Sequence, residues 1–321
     1  MNNLTLEQIR QKISQAESIL ITSHVRPDGD AVSSTLAFGI ALQENGKEVQ
    51  MVLADGVPTA LRFLTGWEHI RKASPDSPNL VIALDSADRD RIGAAVDEET
   101  EIDINIDHHT TNTQFGRLNL VESGVVATCA ILAEIFPALG LQITPKIAEI
   151  LLAGILTDSQ GFRTLNTTAD SLRIAADLID SGANLSALYE QALGRHSIEA
   201  TRYWGVGLSK LQNKNGIVWV SLSIEDRNSV GYRGRDDAEL VNVLASIENA
   251  KIAIVIIEQD AKTAKVSWRG QAGVDVSQIA ASFGGGGHVA AAGAMIAGSL
   301  HEVEGKVIEA TVNAAMNAAA V

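Results

Sequence analysis

The chain has a single cysteine, Cys129, so no disulfide bond can form within it. Structural disulfides belong to oxidising compartments, and their absence indicates a cytoplasmic protein. Cys129 lies in the apolar stretch 125–133, which predicts a buried helix residue. No uncharged apolar run approaches the roughly 18 residues of a membrane-spanning helix. Because the first residues also carry polar groups at helical spacing, we expect neither a membrane span nor a signal peptide.

Basic and aromatic residues are scarce as well. The chain has 25 Lys and Arg against 39 Asp and Glu, a net charge of −14, and only 4% aromatic residues. Proteins that bind long nucleic acids rely on basic surface against phosphates, and single-strand binders add aromatic stacking. The composition therefore excludes a long duplex as the expected partner. A short anionic ligand, held at a local site and screened by cations, is compatible with it.

The length of 321 residues suits two domains. In the first part, short apolar runs alternate with patterns of helical period, which predicts an α/β fold with a doubly wound, mainly parallel sheet. Asp30 is expected to cap the first helix after a strand. The predicted strands are 18–23, 49–53, 80–84 and 102–106, and the predicted helices include 31–43, 127–139, 145–156 and 168–180.

A second, smaller α/β domain with a mixed sheet is expected in the rest of the chain. Its predicted strands are 217–223, 252–258 and 265–268, with a helix at 238–247, a glycine- and alanine-rich stretch at 284–298 and a helical tail from 303. We assign 1–185 to the first domain, 186–212 to a helical connector and 213–321 to the second domain.

Three predicted strands end in acidic and imidazole side chains. These are His24, Asp28 and Asp30 after the first strand, Asp85 after the third, and Asp107, His108 and His109 after the fourth. In an open α/β sheet, ligands bind beyond the carboxyl ends of the strands, and a parallel sheet brings these ends to one edge. We therefore expect the three groups to meet.

The residue types predict a catalytic metal site. Carboxylates and imidazoles without thiolates suit catalytic divalent ions rather than structural zinc. Two ions that share carboxylates can activate water and stabilise an in-line phosphoryl displacement. Taken singly, each piece has a simpler interpretation: Asp28 and Asp30 as a turn and a helix cap, His24 as a loop histidine, and Asp158 as a polar helix end. Their convergence is what favours the metal site.

The motifs resemble those of the DHH phosphoesterase superfamily, and the resemblance covers nearly the whole chain. The second domain carries a glycine-rich sequence similar to the signature of the DHH-associated C-terminal domain. The matching motifs, in chain order, are Ser23-His24-x-x-Pro27-Asp28-Gly29-Asp30-Ala31, Ala83-Leu84-Asp85-Ser86-Ala87-Asp88, Asp107-His108-His109, Thr157-Asp158-Ser159 and Gly284-Gly285-Gly286-Gly287-His288-Val289-Ala290-Ala291-Ala292-Gly293.

This resemblance implies two divalent metal ions, with manganese the usual metal. It implies one ion held by His24, Asp28 and Asp85, and a second held by Asp30, Asp85, His108 and Asp158, with Asp85 bridging. His109 would contact the substrate phosphate or the leaving oxygen, and Asp107 would orient the neighbouring histidines. The catalytic set it implies is Asp85, Asp107, His108 and His109.

The resemblance also implies substrate contacts in the second domain. Gly285 and Gly286 would let the backbone approach a phosphate, with His288 beside them. Arg269 would bind a phosphate through its guanidinium group. The family often has serine after this arginine, whereas this chain has Gly270, which leaves that contact open.

The size and domain plan resemble the nanoRNase and pAp-phosphatase group. A member would hydrolyse short RNA oligomers, adenosine 3′,5′-bisphosphate or both, so the expected partner is a short RNA or a mono- or dinucleotide. A diadenylate phosphodiesterase is the alternative, and a pyrophosphatase or a non-catalytic nucleotide sensor ranks below it. The sequence does not decide whether the chain forms a homodimer. It also does not decide the roles of four arginines: Arg163, Arg195, Arg233 and Arg235.

Overall fold

The computed structural model describes residues 3–74, 78–194, 196–271 and 274–318. The chain divides into two compact units, Met1–Arg195 and His196–Val321. Each unit has its own sheet and its own apolar core. Within the described residues, no helix has both the length and the apolar character needed to cross a lipid bilayer.

The first unit is built on a six-stranded parallel sheet in the order β3-β2-β1-β4-β5-β6. Its strands are β1 (Ser18–Thr22), β2 (Glu48–Val52), β3 (Ile70–Arg71), β4 (Leu80–Leu84), β5 (Ile104–Asp107) and β6 (Leu118–Val121). Strands are added outward from β1 in one direction and from β4 in the other, which makes this pair the topological switch point. The predicted parallel α/β sheet is confirmed.

Alternate residues of a strand point to opposite faces of this sheet, and the two faces have separate cores. Ile19 and Ile21 share a core with helices of the unit, whereas Leu20 packs on the other face against Ile92. Cys129 is buried in this helical layer, as predicted. The helices are α1 (Asn3–Gln15), α2 (Gly29–Glu44), α3 (Thr128–Ile135), α4 (Pro145–Asp158), α5 (Ala169–Asp180) and α6 (Leu185–Tyr189).

The start of α2 differs from the prediction. Asp28, not Asp30, is the N-cap: its Oδ1 atom accepts hydrogen bonds from the backbone N–H groups of Asp30 and Ala31, both at 3.1 Å. Asp30 already lies in the first helical turn, which frees its carboxylate for other contacts. The edge strands β3 and β6 were not predicted because they are short and only partly buried.

The second unit has a six-stranded sheet in the order β11-β12-β10-β9-β8-β7. Among the described strands of this sheet, β8 and β9 pair in parallel and the other pairs are antiparallel, so the predicted mixed sheet is confirmed. The strands are β7 (Gln212–Lys214), β8 (Ile217–Leu222), β9 (Ile252–Asp260), β10 (Thr263–Gly270), β11 (Gly286–His288) and β12 (Ala291–Ala297). The helices are α7 (Ile198–Ser209), α8 (Ile224–Ser229), α9 (Leu240–Ala245), α10 (Val276–Ser282) and α11 (Leu300–Ala318).

Helices pack on both faces of this second sheet. Val220 of β8 lies in a core with Tyr203 of α7 and Leu240 of α9. Its neighbour Trp219 faces the opposite side, in a core with Val303 of α11. The glycine-rich stretch forms β11 and β12 rather than a loop. The segment 186–212 spans the boundary between the units, and its role as a connector stays a prediction.

Candidate metal centre

Asp85 lies at the switch point, between two imidazoles. The Nε2 atom of His24 is 3.6 Å from Asp85 Oδ2, and the Nε2 atom of His108 is 3.5 Å from Asp85 Oδ1. Oδ2 therefore faces His24, whereas Oδ1 faces His108 and, at 3.7 Å, the Nδ1 atom of His109. This is the position that a carboxylate shared by two ions would occupy.

The backbone of Asp85 is held in an uncommon conformation. The residue follows β4 directly and has a φ of 52° in the left-handed region. Aspartate tolerates this region better than most residues that carry a Cβ. Such strain costs about 1–3 kcal/mol and is found at functional positions, where the surrounding structure compensates for it. In this structure the strained backbone belongs to Asp85, which is only 1% exposed.

Both histidines are oriented by backbone carbonyl groups. The Nδ1 atom of His24 lies 2.9 Å from the oxygen of Val25, and the Nδ1 atom of His108 lies 3.2 Å from the oxygen of Val125. When each Nδ1–H donates to its carbonyl group, Nε2 is the nitrogen that faces the carboxylates. Metal-binding histidines are commonly oriented in this way.

Asp28 serves two purposes. While its Oδ1 atom caps α2, its Oδ2 atom lies 3.7 Å from His24 Nε2. The helix start therefore fixes the orientation of a carboxylate that faces the imidazole.

Asp30 is held by the beginning of α3. Its Oδ2 atom accepts a hydrogen bond from the N–H group of Thr128 at 2.6 Å, and its Oδ1 atom accepts one from Cys129 at 3.0 Å. The hydroxyl of Thr128 also donates to Asp85 Oδ1 at 3.0 Å. Thr128 thus orients two buried carboxylates. Thr128 was not predicted, because an uncharged residue at a helix start carries no signal of its own.

Asp158 reaches the site from the end of α4. Its Oδ2 atom lies 3.5 Å from His108 Nε2. Two glycines permit the close packing of this region: a Cβ at Gly29 would lie 2.2 Å from Thr157 Oγ1, and a Cβ at Gly154 would lie 2.3 Å from Cys129 Sγ. Because these glycines lack side chains, the starts of α2 and α3 can lie against α4.

A second network fixes His109. Its Nδ1 atom lies 2.7 Å from Asp107 Oδ1, and Asn112 donates to Asp107 Oδ2 at 2.6 Å. The same amide of Asn112 donates to Asn105 Oδ1 at 2.8 Å. Asp107 is fully buried. Neither Asn105 nor Asn112 was predicted, although both lie close to the Asp-His-His motif in sequence.

Burial and crowding of charge shift the pKa values in this site. Burial opposes protonation of His24, but hydrogen bonds with Asp28 and Asp85 outweigh it and raise its pKa to about 10. Burial likewise opposes protonation of His108, yet the charges of Asp85 and Asp158 raise its pKa to about 9. Burial, reinforced by the Asp85 charge, raises the pKa of Asp30 to about 7. The site thus holds an excess of buried negative charge that a bound cation would neutralise.

The donor atoms fall into groups suited to single ions. There are three such groups, and within each the ligand atoms lie within 4.8 Å of one another. The groups are His24, Asp28 and Asp85; Asp30, His108 and Asp158; and Asp85, His108 and His109. Ligands at about 2.1 Å from one ion stand roughly 3–4 Å apart. The side chains present therefore fit divalent cations. The six residues predicted as ligands are all brought together here.

Apart from His109, the residues predicted to contact substrate lie in the second unit. Arg269 is near the end of β10, where its Nε donates to Asn242 Oδ1 at 2.9 Å and its Nη1 donates to the Trp268 oxygen at 3.0 Å. In the backbone register, Ala291 pairs with Arg269 on one side and with His288 on the other. The side chain of His288 lies outside the described part of the chain.

The glycines of this segment are not equivalent. A Cβ at Gly285 would lie 2.2 Å from the Gly293 oxygen, so close packing against β12 requires glycine there. Around Gly286 there is open space. Packing therefore does not explain why residue 286 is glycine, whereas it does explain residue 285.

The four arginines whose roles the sequence left open lie in different parts of the chain. Arg163 is exposed, a few residues after Asp158. Arg195 lies outside the described residues. Arg233 and Arg235 line a cavity of the second unit with Arg227, which the sequence analysis did not single out.

The parallel sheet, the carboxylate and imidazole cluster at its switch point and the mixed-sheet second unit define a two-domain α/β protein of the metal-dependent hydrolase kind. Residues 18–155 match the DHH family, N-terminal domain, and residues 228–318 match the DHHA1 domain. The chain belongs to the DHH family of phosphoesterases. Its acidic and imidazole groups are placed for metal binding.

Two curated relatives cover most of the chain. The bifunctional oligoribonuclease and PAP phosphatase NrnA of Thermus thermophilus is 36% identical over 91% of this chain and 88% of its own length. The Bacillus subtilis protein of the same name is 27% identical over 90% of this chain and 92% of its own length. In fold, the chain is similar to an exopolyphosphatase-related protein from Bacteroides fragilis, with a TM-score of 0.87, 23% identity and coverage of 98% and 96% of the two chains.

Proposed function

We propose that this phosphoesterase hydrolyses short nucleotides: RNA oligomers of a few residues, adenosine 3′,5′-bisphosphate, or both. The observation that carries the proposal is the placement of Asp85, whose two oxygens face His24 and His108 separately. The names of the two curated relatives support the substrate class. The net charge of −14 supports a short substrate, because a long backbone would be repelled.

Two divalent ions, with manganese as the expected metal, are proposed to bind at the switch point. His24, Asp28 and Asp85 would hold one, and Asp30, Asp85, His108 and Asp158 the other. When bound, the pair would supply Lewis acidity, activation of water and neutralisation of phosphate charge. The amide groups of Thr128 and Cys129 keep Asp30 in place, and the carbonyl groups behind His24 and His108 fix which nitrogen faces the site.

His109 and Asp107 are proposed to act on the substrate side. When Nδ1–H of His109 donates to Asp107, the carboxylate fixes the tautomer and the orientation of the imidazole. An imidazole held in this way suits hydrogen bonding to a phosphate oxygen or to the leaving oxygen. Because Asp107 is buried and also bonded to Asn112, its orientation does not depend on solvent.

The second unit is proposed to bind the substrate phosphate or its attached nucleoside. Arg269 would do so through a guanidinium group whose orientation Asn242 fixes. Gly285, Gly286 and His288 are proposed to form the neighbouring backbone contact, with Gly286 the most informative because packing leaves space there.

One assay tests the function directly. The purified chain with Mn²⁺ is given adenosine 3′,5′-bisphosphate, a trinucleotide RNA, linear diadenylate, cyclic diadenylate and pyrophosphate in parallel. We expect turnover of one or both of the first two. Preference for either diadenylate would replace the proposed substrate with the alternative.

The matched variants are Asp85→Asn and Asp97→Asn. The first removes the carboxylate shared by the two histidine groups, and we expect hydrolysis to be lost while circular dichroism stays unchanged. The second removes an exposed carboxylate of the same unit and should leave activity intact. Inertness of the wild-type chain on all five substrates would favour a nucleotide sensor. Full activity of Asp85→Asn would disprove the two-ion arrangement.

A further inference from the structure

The second unit contains a cavity with a cationic lining that the proposed hydrolysis does not use. Its volume is about 380 Å³, within the range of small-ligand sites. The residues that line it are Arg227, Asn228, Gly231, Tyr232, Arg233 and Arg235. In a chain with a net charge of −14, three arginines around one cavity stand out.

The local sequence builds this cavity through the end of α8. Gly231 has a φ of 71°, the N–H of Tyr232 donates to the Arg227 oxygen at 3.2 Å, and the N–H of Gly231 donates to the Asn228 oxygen at 3.1 Å. This is the Schellman arrangement of a helix C-terminus. It turns the chain back, so that the segment 232–235 returns beside Arg227.

Gly234 lets the returning segment stay compact. A Cβ there would lie 2.4 Å from the hydroxyl oxygen of Tyr232, so the tyrosine lies directly against the backbone. The ring of Tyr232 also stacks on that of Tyr203, with centroids 5.1 Å apart. Its hydroxyl donates to Asp236. These contacts hold the segment that carries Arg233 and Arg235.

Arg227 is the unusual member of the lining. It is 9% exposed, and its buried Nη1 atom has no hydrogen-bond partner in the part of the chain that the structure describes. A buried guanidinium group is costly unless it is paired. The carboxylate of Asp237 is also buried with one oxygen unpaired, but Asp237 is not part of the lining. An anion in the cavity would supply the partner that Arg227 lacks.

Arg233 and Arg235 leave their charge available. Both are exposed, and in the described part of the chain no ion pair joins them or Arg227 to a carboxylate. Glu199 lies close enough to Arg233 for an electrostatic interaction, and Asp260 lies close enough to Arg235. Neither carboxylate lines the cavity.

We propose that this cavity, formed by Arg227, Arg233 and Arg235, binds a phosphate group. Planar guanidinium groups donate paired hydrogen bonds to phosphate oxygens, and several together match a multiply charged anion better than a single carboxylate. The phosphate belongs either to a free phosphate or mononucleotide, or to a phosphodiester of an RNA oligomer. The residues are separate from the proposed metal ligands, so the site does not depend on the proposed hydrolysis.

Calorimetric titration of the full chain with a chelator present tests the proposal, because removal of metal ions suppresses phosphate binding at the metal centre. The probes are inorganic phosphate, adenosine 5′-monophosphate and a trinucleotide RNA. The key variant is Arg233→Gln/Arg235→Gln, which changes two exposed side chains. The control is Lys262→Gln/Lys306→Gln, which removes the same charge from exposed positions outside the cavity.

We expect the arginine variant to bind at least about tenfold more weakly than the wild type, because charge-assisted hydrogen bonds are lost, while the lysine control is unchanged. Weakened binding of phosphate and the mononucleotide assigns the site to free anions. Weakened binding of the trinucleotide alone assigns it to RNA phosphodiesters. Absence of saturable binding by the wild type, or equal binding by the arginine variant, would overturn the proposal.

Arg227→Gln provides a second test. Its folding is checked first by the circular-dichroism melting temperature. Because Arg227 Nη1 has no hydrogen-bond partner among the described residues, phosphate should raise the melting temperature of the wild type but not that of the variant. An equal rise in both proteins would show that phosphate binds elsewhere.

Discussion

The Nδ1 atom of His109 lies 2.7 Å from Oδ1 of Asp107, and the opposite oxygen of that carboxylate is held by Asn112 at 2.6 Å. The pair resembles the orienting carboxylate and histidine found in many hydrolytic sites. The side-chain contacts of Asp107 join it to His109 and Asn112, so we expect it to affect the chemistry mainly by orienting His109.

Asp107→Asn should therefore reduce kcat strongly and leave metal content unchanged. An amide no longer holds His109 in the tautomer that the carboxylate selects, and loss of such an orienting partner costs about 10²–10⁴-fold in rate. Steady-state kinetics with metal analysis of the purified variant measure this. Asn112→Ala is a milder variant of the same network. It removes one hydrogen bond from Asp107 and should lower kcat about tenfold. Loss of bound metal in Asp107→Asn would instead make Asp107 a structural part of the metal site.

Much of the site is predictable because its ligands follow strands of a parallel sheet. His24, Asp85 and His108 each follow an apolar run, and the order of the strands dictates that those ends meet. The strand runs themselves are recognisable because they are buried on both faces.

The supporting contacts were not predictable for a physical reason. Thr128 and Asn112 are uncharged, and they acquire a role only when the fold brings them to Asp30 and Asp107. In the sequence Asp-Gly-Asp, either carboxylate can cap the helix, and only the three-dimensional position of the α3 amide groups explains why Asp30 is not the cap. Arg227 was missed because its significance depends on burial, which the sequence does not display.

Metal binding should release protons. In the metal-free protein, pKa values of about 10 for His24 and about 9 for His108 keep both imidazoles protonated near neutral pH. Ligation requires neutral imidazole, so roughly two protons leave as the site fills, and apparent metal affinity rises with pH. Mn²⁺ titrations by calorimetry in buffers of different ionisation enthalpy count these protons. Heats that are independent of the buffer would contradict the prediction.

The raised pKa values of His24 and His108 also predict how the stability of the metal-free protein changes at alkaline pH. A histidine whose folded pKa is raised above about 6.5 stabilises the fold fully below that pH, and the contribution is lost as pH rises through the folded value. For His108 and His24 this window runs from about 6.5 to about 9 and 10, respectively. Chemical denaturation with chelator should therefore show lower stability at pH 9.5 than at pH 7. Greater stability at the higher pH would contradict these two shifts.

Replacement of Gly154 by alanine should disturb the metal centre from a distance. The new Cβ would meet Cys129 Sγ at 2.3 Å and Asp30 Oδ1 at 3.0 Å, which forces α3 or α4 to move. Overpacking of this kind costs about 1–3 kcal/mol in the free energy of unfolding. We expect weaker Mn²⁺ binding as well as lower stability. Gly205→Ala, at a position with open space, is the control and should change neither. Loss of stability with unchanged Mn²⁺ affinity would show that the helix packing does not position the ligands.

Gly285 and Gly286 should respond differently to alanine. At Gly285 a Cβ would meet the Gly293 oxygen at 2.2 Å, so the variant should be destabilised by strand separation. At Gly286 there is space, so Gly286→Ala should fold normally and weaken substrate binding, because a methyl group would keep a phosphate from the backbone. Melting temperatures and KM, measured for both variants, separate the two effects. A Gly286→Ala variant with unchanged melting temperature, KM and kcat would remove this glycine from the substrate site and leave Arg269 as the main contact of that unit to test.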